Sequence, residues 1–380
     1  MTPFRVQWGE ADVRQLLERI EACPLPETPA TADWSLGCDR TFLARIQNHW
    51  VTAYDWQAAA ESLNRHPQYT AVVGDLPIHF VHVAGEARGR KPLLISHGWP
   101  GSHHEFWKVI EPLAYPSRHG SRPEDAFDLV IPSLPGYGFS GKPHGPMGQR
   151  ETAELWNSLM TDHLGYRRYA AQGGDFGAIV TSWLGLDHGD NLAGIHLNML
   201  AFRSLAEPAN REETEWLEAS QAAQQQLGAY SHLHMTRPHS LVWATAGNPL
   251  GQAAWMLERF HDWTDMNGRD LEEVFGLDDL ITNAMIYLMT DSFSSSLGFY
   301  RGVVEDGLGI LPEGQRCETP TAYAAFPGDA LMPAAPLSRV ELAYNLTRYT
   351  PMPRGGHFAA MQEPDLFVQD LREWGRELNW

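Results

Sequence analysis

Gly173-Gly174-Asp175-Phe176-Gly177 stands between a short strand-like run, Tyr169–Gln172, and an apolar helix-like run, Ala178–Leu186. Glycines two residues before and two residues after a central reactive side chain mark a sharp strand-to-helix turn. The apex residue is strained and exposed, and the chain around it packs too closely for a Cβ. Here the apex is an aspartate. At the start of a helix the backbone N–H groups and the helix dipole favour its anion, which is the form that attacks carbon. A plain helix-capping Asp in a glycine-rich turn would look the same when taken alone.

On either side of this turn the chain alternates short strand-like runs with helical stretches. Tyr69–Val73, Ile78–Val83, Leu93–Ile95, Asp128–Ile131, Gly194–Asn198, Thr319–Phe326 and Tyr344–Tyr349 read as strands, and Leu366–Trp374 as a final helix. The alternation predicts an α/β fold with a mostly parallel central sheet and helices on both faces. Residues 1–75 read instead as a helical N-terminal arm, with Val13, Leu16, Leu17 and Ile20 at helical spacing and no strand–turn–helix motif. Residues 201–300 form a helical block rich in Trp, Leu and Met. The expected organisation is therefore an arm (1–75), a first core segment (76–200), a lid (201–300) and a second core segment (301–380).

Three further motifs fall where a catalytic constellation on such a sheet needs them. His97-Gly98-Trp99-Pro100-Gly101-Ser102 follows the apolar strand Pro92–Ile95. In α/β-hydrolases this loop supplies one N–H of an oxyanion hole and the residue after the nucleophile supplies the other, which predicts the backbone N–H groups of Trp99 and Phe176. Arg354-Gly355-Gly356-His357-Phe358, between the last strand and the last helix, offers His357 as general base. Nucleophile–acid–base chain order requires a carboxylate before it. Asp329, ending Ala325-Phe326-Pro327-Gly328-Asp329, fits better than Glu341, which opens a more helical stretch. Most of the other histidines among the 17 are expected at the surface, and Ile78-His79-Phe80-Val81-His82 reads as a strand with outward histidines rather than a metal pair.

With these motifs in order, the chain resembles the microsomal-type epoxide hydrolases of the α/β-hydrolase superfamily, from the wrapping arm to the final helix. The resemblance rests on HGWPGS at 97–102, GGDFG at 173–177, AFPGD at 325–329 and RGGHFAAMQEP at 354–364. It implies Asp175 as nucleophile, His357 as the water-activating base and Asp329 as its orienting acid. It also implies two lid tyrosines that hold the epoxide oxygen, Tyr230 in Gly228-Ala229-Tyr230-Ser231-His232 and Tyr300 in Gly298-Phe299-Tyr300-Arg301. The activity so implied is epoxide opening to a vicinal diol through an ester on Asp175, with no cofactor and no metal. A dehalogenase of the same superfamily is the alternative, though Phe176 stands where a halide-binding Trp is expected. A non-catalytic small-ligand receptor is the reading from another class.

Composition narrows the partners. With 47 acidic against 28 basic residues the net charge is −19, which repels polyphosphate and argues against nucleic acid. Three cysteines without CxxC spacing suit neither a disulfide framework nor zinc, and a reducing cytoplasm is the expected location. No run of eighteen apolar residues and no apolar leader segment is present, so neither membrane insertion nor a secretion signal is expected. Fourteen tryptophans predict an aromatic wall around an apolar ligand, so the expected partners are an apolar or aryl epoxide and water. A homodimer contact through the Trp- and Leu-rich arm stays open.

Overall fold

The computed structural model describes residues 1–28, 34–87, 89, 91–311 and 314–380. Among them one nine-stranded sheet forms the centre. Its strands are β1 (Thr2–Phe4), β2 (Gln68–Val73), β3 (Leu76–Val83), β4 (Pro92–Ser96), β5 (Asp128–Pro132), β6 (Tyr169–Gly173), β7 (Leu192–Leu197), β8 (Cys317–Ala325) and β9 (Tyr344–Pro351). Their spatial order is β1-β2-β3-β5-β4-β6-β7-β8-β9. From β5 to β9 every pairing is parallel, whereas β1, β2 and β3 run antiparallel to their neighbours. Every residue of β4, β5, β6 and β7 is buried. A sheet covered on both faces has no polar side to present, which is why these strands read as apolar runs and not as alternations. This is the α/β-hydrolase fold, with β4 and β6 side by side at its centre.

The arm departs from a purely helical reading. Thr2–Phe4 pairs with β2 in the register Thr2 to Thr70, Pro3 to Tyr69 and Phe4 to Gln68, so the N-terminus adds an edge strand. Three residues whose partner lies over sixty positions away carry no local periodicity to reveal them. The first arm helix, Glu10–Ala22, forms where its spacing predicts, and Arg40–Thr52 and Trp56–Leu63 follow it. Asp39 and Asp55 cap the latter two by accepting backbone N–H bonds at their first turns.

Between β7 and β8 lie the helices Arg211–Leu227, Ala229–Thr236, Pro238–Thr245, Pro249–Asp262, Leu271–Phe275, Leu277–Met289 and Phe293–Glu305. The arm braces this block. Its first two long helices pack on Pro249–Asp262 and Leu277–Met289. Tyr54 Oη and Thr282 Oγ1 lie 3.0 Å apart, and His49 Nε2 is 2.7 Å from Asp278 Oδ1. From the other side, Leu277–Met289 is tied to the His97–Ser102 turn. Asn283 donates to the Pro100 carbonyl (2.8 Å) and Tyr287 to the Gly101 carbonyl (2.6 Å).

The histidines are not mainly at the surface. His66, His79, His97, His103, His104, His196, His234 and His357 are all buried. His79 in particular points inward, 2.9 Å from both Ser133 Oγ and Gln68 Oε1, and burial holds its imidazole down to about 3. Hydrogen-bonded partners at both ring nitrogens let a neutral histidine replace an apolar residue in the core. Among the described residues no helix is long and apolar enough to cross a membrane.

Candidate active site

Asp175 is the first residue of the helix Asp175–Asp187, directly after β6, and its φ is +49°. A non-glycine residue seldom occupies this left-handed region unless its surroundings impose it. Those surroundings are glycines. A Cβ on Gly173 would strike the Gly177 carbonyl, one on Gly177 would strike the Ser96 carbonyl, and one on Gly98 would land on the Asp175 carboxylate. The apex therefore stands at the end of β6 with the turn after β4 pressed against it.

That pressure delivers a donor. The Trp99 backbone N–H donates to Asp175 Oδ1 at 2.8 Å. His97 fixes the turn by donating through Nδ1 to the Gly98 carbonyl (3.0 Å) and accepting the Leu134 N–H at Nε2 (3.1 Å). This neutral form is the one burial favours, holding the imidazole down to about 4. Phe176, the other expected oxyanion contributor, is buried, and its ring lies edge-on to Tyr300 at 4.6 Å and to Phe299 at 5.2 Å.

His357 and Asp329 arrive from the turns after β9 and β8. His357 Nδ1 is 2.8 Å from Asp329 Oδ2, while Asp329 Oδ1 accepts the backbone N–H groups of Leu331 (3.1 Å) and Met332 (2.9 Å). His357 Nε2 lies 3.2 Å from Asp175 Oδ2 yet makes no aligned hydrogen bond. The ring thus sits between two carboxylates. Burial disfavours its charged form, but Asp329 and then Asp175 outweigh burial and push the imidazole up to about 10.

Tyr230 and Tyr300 come from the helical block between β7 and β8. Tyr230, on Ala229–Thr236, and Tyr300, on Phe293–Glu305, are both buried, with ring centroids 5.9 Å apart and planes perpendicular. Tyr230 stacks on Trp99 at 5.6 Å and leans on Trp263 at 5.1 Å, and Trp263 in turn meets His357 at 4.8 Å. The Tyr300 hydroxyl is buried without a hydrogen-bond partner. Burial, with the Asp175 charge adding to it, raises both phenols, so each keeps its proton as a donor. The structure brings Asp175, His357, Asp329, Tyr230, Tyr300, Trp99 and Phe176 into one locus. Among the described residues no cluster of His, Cys, Asp or Glu is arranged to hold a metal ion.

Residues 1–106 match the family described as "Epoxide hydrolase N terminus", and residues 91–230 match the "alpha/beta hydrolase fold". A Stigmatella aurantiaca protein named as an epoxide hydrolase is 38% identical over 383 residues, covering 100% of this chain and 85% of that protein. The chain belongs to the epoxide hydrolase family. Epoxide hydrolase 1 of Oryctolagus cuniculus is 33% identical over 399 residues, spanning 97% of this chain and 87% of its own. The solved epoxide hydrolase of Aspergillus niger superposes with a TM-score of 0.86 at 28% identity, covering 100% of this chain and 96% of the other. The juvenile hormone epoxide hydrolase of Bombyx mori gives 0.86 at 26%, covering 99% and 95%.

In this epoxide hydrolase the site includes residues that sequence reasoning passed over. His234 lies one helical turn beyond Tyr230, with its ring 4.6 Å from Tyr300, and accepts the Trp255 indole N–H at Nε2 (3.1 Å). Indole can only donate, so the His234 proton sits on Nδ1, and that atom is buried without a partner. Glu105 lines the cavity beside Asp175 and His357. An acid set among His103, His104, Phe106 and Trp107 was the available signal for it, since carboxylates seldom lie in aromatic surroundings without a task. Nothing in the sequence distinguished His234 or Trp263 from packing residues.

Proposed function

We propose that the chain hydrolyses an apolar or aryl epoxide to a vicinal diol through a covalent ester on Asp175. The observation that carries this reading is the placing of Asp175. One carboxylate oxygen accepts the Trp99 N–H at 2.8 Å, the other lies 3.2 Å from His357 Nε2, and two protonated phenols stand across from it. In the first step Asp175 attacks one epoxide carbon, and Tyr230 and Tyr300 hydrogen-bond the ring oxygen as it becomes an alkoxide. In the second, His357, oriented by Asp329 and neutral once it has yielded to the alkoxide the proton that the Asp175 charge helped to hold, takes a proton from water as that water attacks the ester carbonyl. The N–H groups of Trp99 and Phe176 hold the oxyanion, at roughly 3–4 kcal/mol per donor in comparable sites. One proton of the water ends on the diol oxygen released from the ester, the other restores the imidazolium of His357, and Asp175 returns as carboxylate. These steps need neither metal nor organic cofactor, and three free cysteines favour a reducing cytoplasm as the setting.

The test is intact-protein mass of His357→Gln after mixing with styrene oxide. That variant should alkylate and then stall, giving an adduct of the epoxide's mass on the Asp175 peptide. Asp175→Ala should give none. Absence of adduct in His357→Gln, with wild type making no diol from aryl or alkyl epoxides, would sink the reading.

One observation favours haloalkane cleavage as the second reading. The indole N–H groups of Trp99 and Trp263 are both buried without partners, and their rings lie 6.5 Å apart. Two such donors suit a departing halide. Halide release from 1-bromobutane by wild type, with epoxides inert, would select it. Binding of epoxide without turnover of either substrate would select the receptor reading.

A further inference from the structure

We infer that Glu105 seats the hydrolytic water, in a cavity beside Asp175 and His357 that neither Tyr230 nor Tyr300 lines. This rests on the Asp175-ester reading and assigns a group that reading leaves out.

A cavity of about 20 Å³ adjoins Asp175 and His357, and its other walls include Glu105, Phe106, Asn198 and Ala359. That volume holds about one water molecule. Neither Tyr230 nor Tyr300 lines it, so it lies away from the face where the epoxide oxygen is held. A second, open pocket of about 520 Å³ lies on the surface between Ser62, Arg65, His104, Lys108 and Asp279. Among the described residues Glu105 alone lines both.

The backbone makes room for this side chain. A Cβ on Gly101 would fall on the Glu105 carboxylate, so the glycine leaves space for the acid to fold back beneath the His97–Ser102 turn. Although Glu105 as a whole is half-buried, enclosure of its carboxyl pushes it up to about 8. His357 and the Gly98 N–H oppose that rise, and Asp175 adds to it. The site at rest therefore holds a largely neutral acid, able both to donate and to accept a hydrogen bond. In the ester state, with His357 neutral, a water in the cavity can point one O–H at His357 Nε2 and the other at a Glu105 oxygen, leaving an oxygen lone pair for the ester carbon. In the step itself the water oxygen bonds to Asp175 Cγ and one proton passes to His357 Nε2. The tetrahedral intermediate then expels the product oxygen, which takes that proton. The second O–H stays on Glu105 until the bond to Cγ has formed. When Asp175 becomes an ester its charge disappears, which removes one of the two causes that raise Glu105. The carboxyl then ionises more readily beside the imidazolium that forms.

The test is single-turnover kinetics with styrene oxide in Glu105→Gln and Glu105→Leu, resolving alkylation from ester hydrolysis by quenched-flow mass measurement, with His357→Gln as the control that accumulates ester. We expect E105L to alkylate within about two-fold of wild type and to hydrolyse its ester at least about ten-fold more slowly, with E105Q in between. E105Q is nearly isosteric and answers the question even if E105L fails to fold. Ester hydrolysis at the wild-type rate in E105Q and in any folded E105L would overturn the assignment. So would equal losses in both steps, which mark a structural role. A control that forms no ester would overturn the Asp175 reading itself, and this inference with it.

Discussion

His357 and Asp329 meet through Nδ1 and Oδ2 at 2.8 Å, and the other Asp329 oxygen is committed to the amides of Leu331 and Met332. An acid held at both oxygens fixes the imidazole tautomer as well as its direction. Asp329→Asn should therefore leave Asp175 alkylation nearly intact and slow ester hydrolysis by roughly two to four orders of magnitude. Rapid-quench measurement of ester build-up separates the two steps, and an unchanged hydrolysis rate would remove Asp329 from the machinery.

The same pairing sets a pH dependence of stability. The fold raises His357 from an ordinary value of 6.5 to about 10, so folding favours the imidazolium. Its contribution is present in full below about 6.5 and is lost as pH rises through about 10. Melting temperatures from pH 6 to 10 should fall more steeply in wild type than in His357→Gln. Parallel slopes would contradict the bracketing by two carboxylates.

In the proposed reaction Tyr230 and Tyr300 donate to the opening ring oxygen. Tyr230→Phe and Tyr300→Phe should each lower the alkylation rate about 10²- to 10³-fold, with ester hydrolysis little changed. Burst kinetics read both rates. If hydrolysis fell and alkylation did not, the oxygen would be held elsewhere.

Two glycine replacements should move stability in opposite directions. Gly177→Ala drives a methyl into the Ser96 carbonyl, where backbone must yield. It should lose about 3 kcal/mol or more, or fail to fold. Gly298, inside the helix Phe293–Glu305, faces open space. Gly298→Ala should gain about 0.5–1 kcal/mol. Urea unfolding of both variants tests the contrast.

The core and the cluster of Asp175 and His357 were legible because they are written locally. GGDFG is a strand end, a turn and a helix start within five residues, and HGWPGS and RGGHF carry their own backbone requirements. Asp329 was legible through chain order. Tyr230 and Tyr300 were legible only through resemblance, since a tyrosine that packs and one that donates look alike in a lid of aromatic helices. Strand β1 was hidden because it exists only by pairing with β2. The buried histidines were hidden for the same kind of reason. His79 is stabilised by Ser133 and Gln68, and His234 by Trp255, partners that only the fold brings near.

The packing of the lid rings has a kinetic consequence. Tyr230, Tyr300, Trp99, Trp263 and His234 pack ring against ring, and in the proposed reaction the epoxide oxygen must reach the two phenols within that cluster. On that reading a substrate captures a conformation in which the rings have parted, and its measured affinity would be its intrinsic affinity scaled by the population of that conformation. Discrimination among epoxides thus begins before any bond changes, and loosening the arm that braces the lid would widen the range of molecules admitted without altering a single catalytic atom.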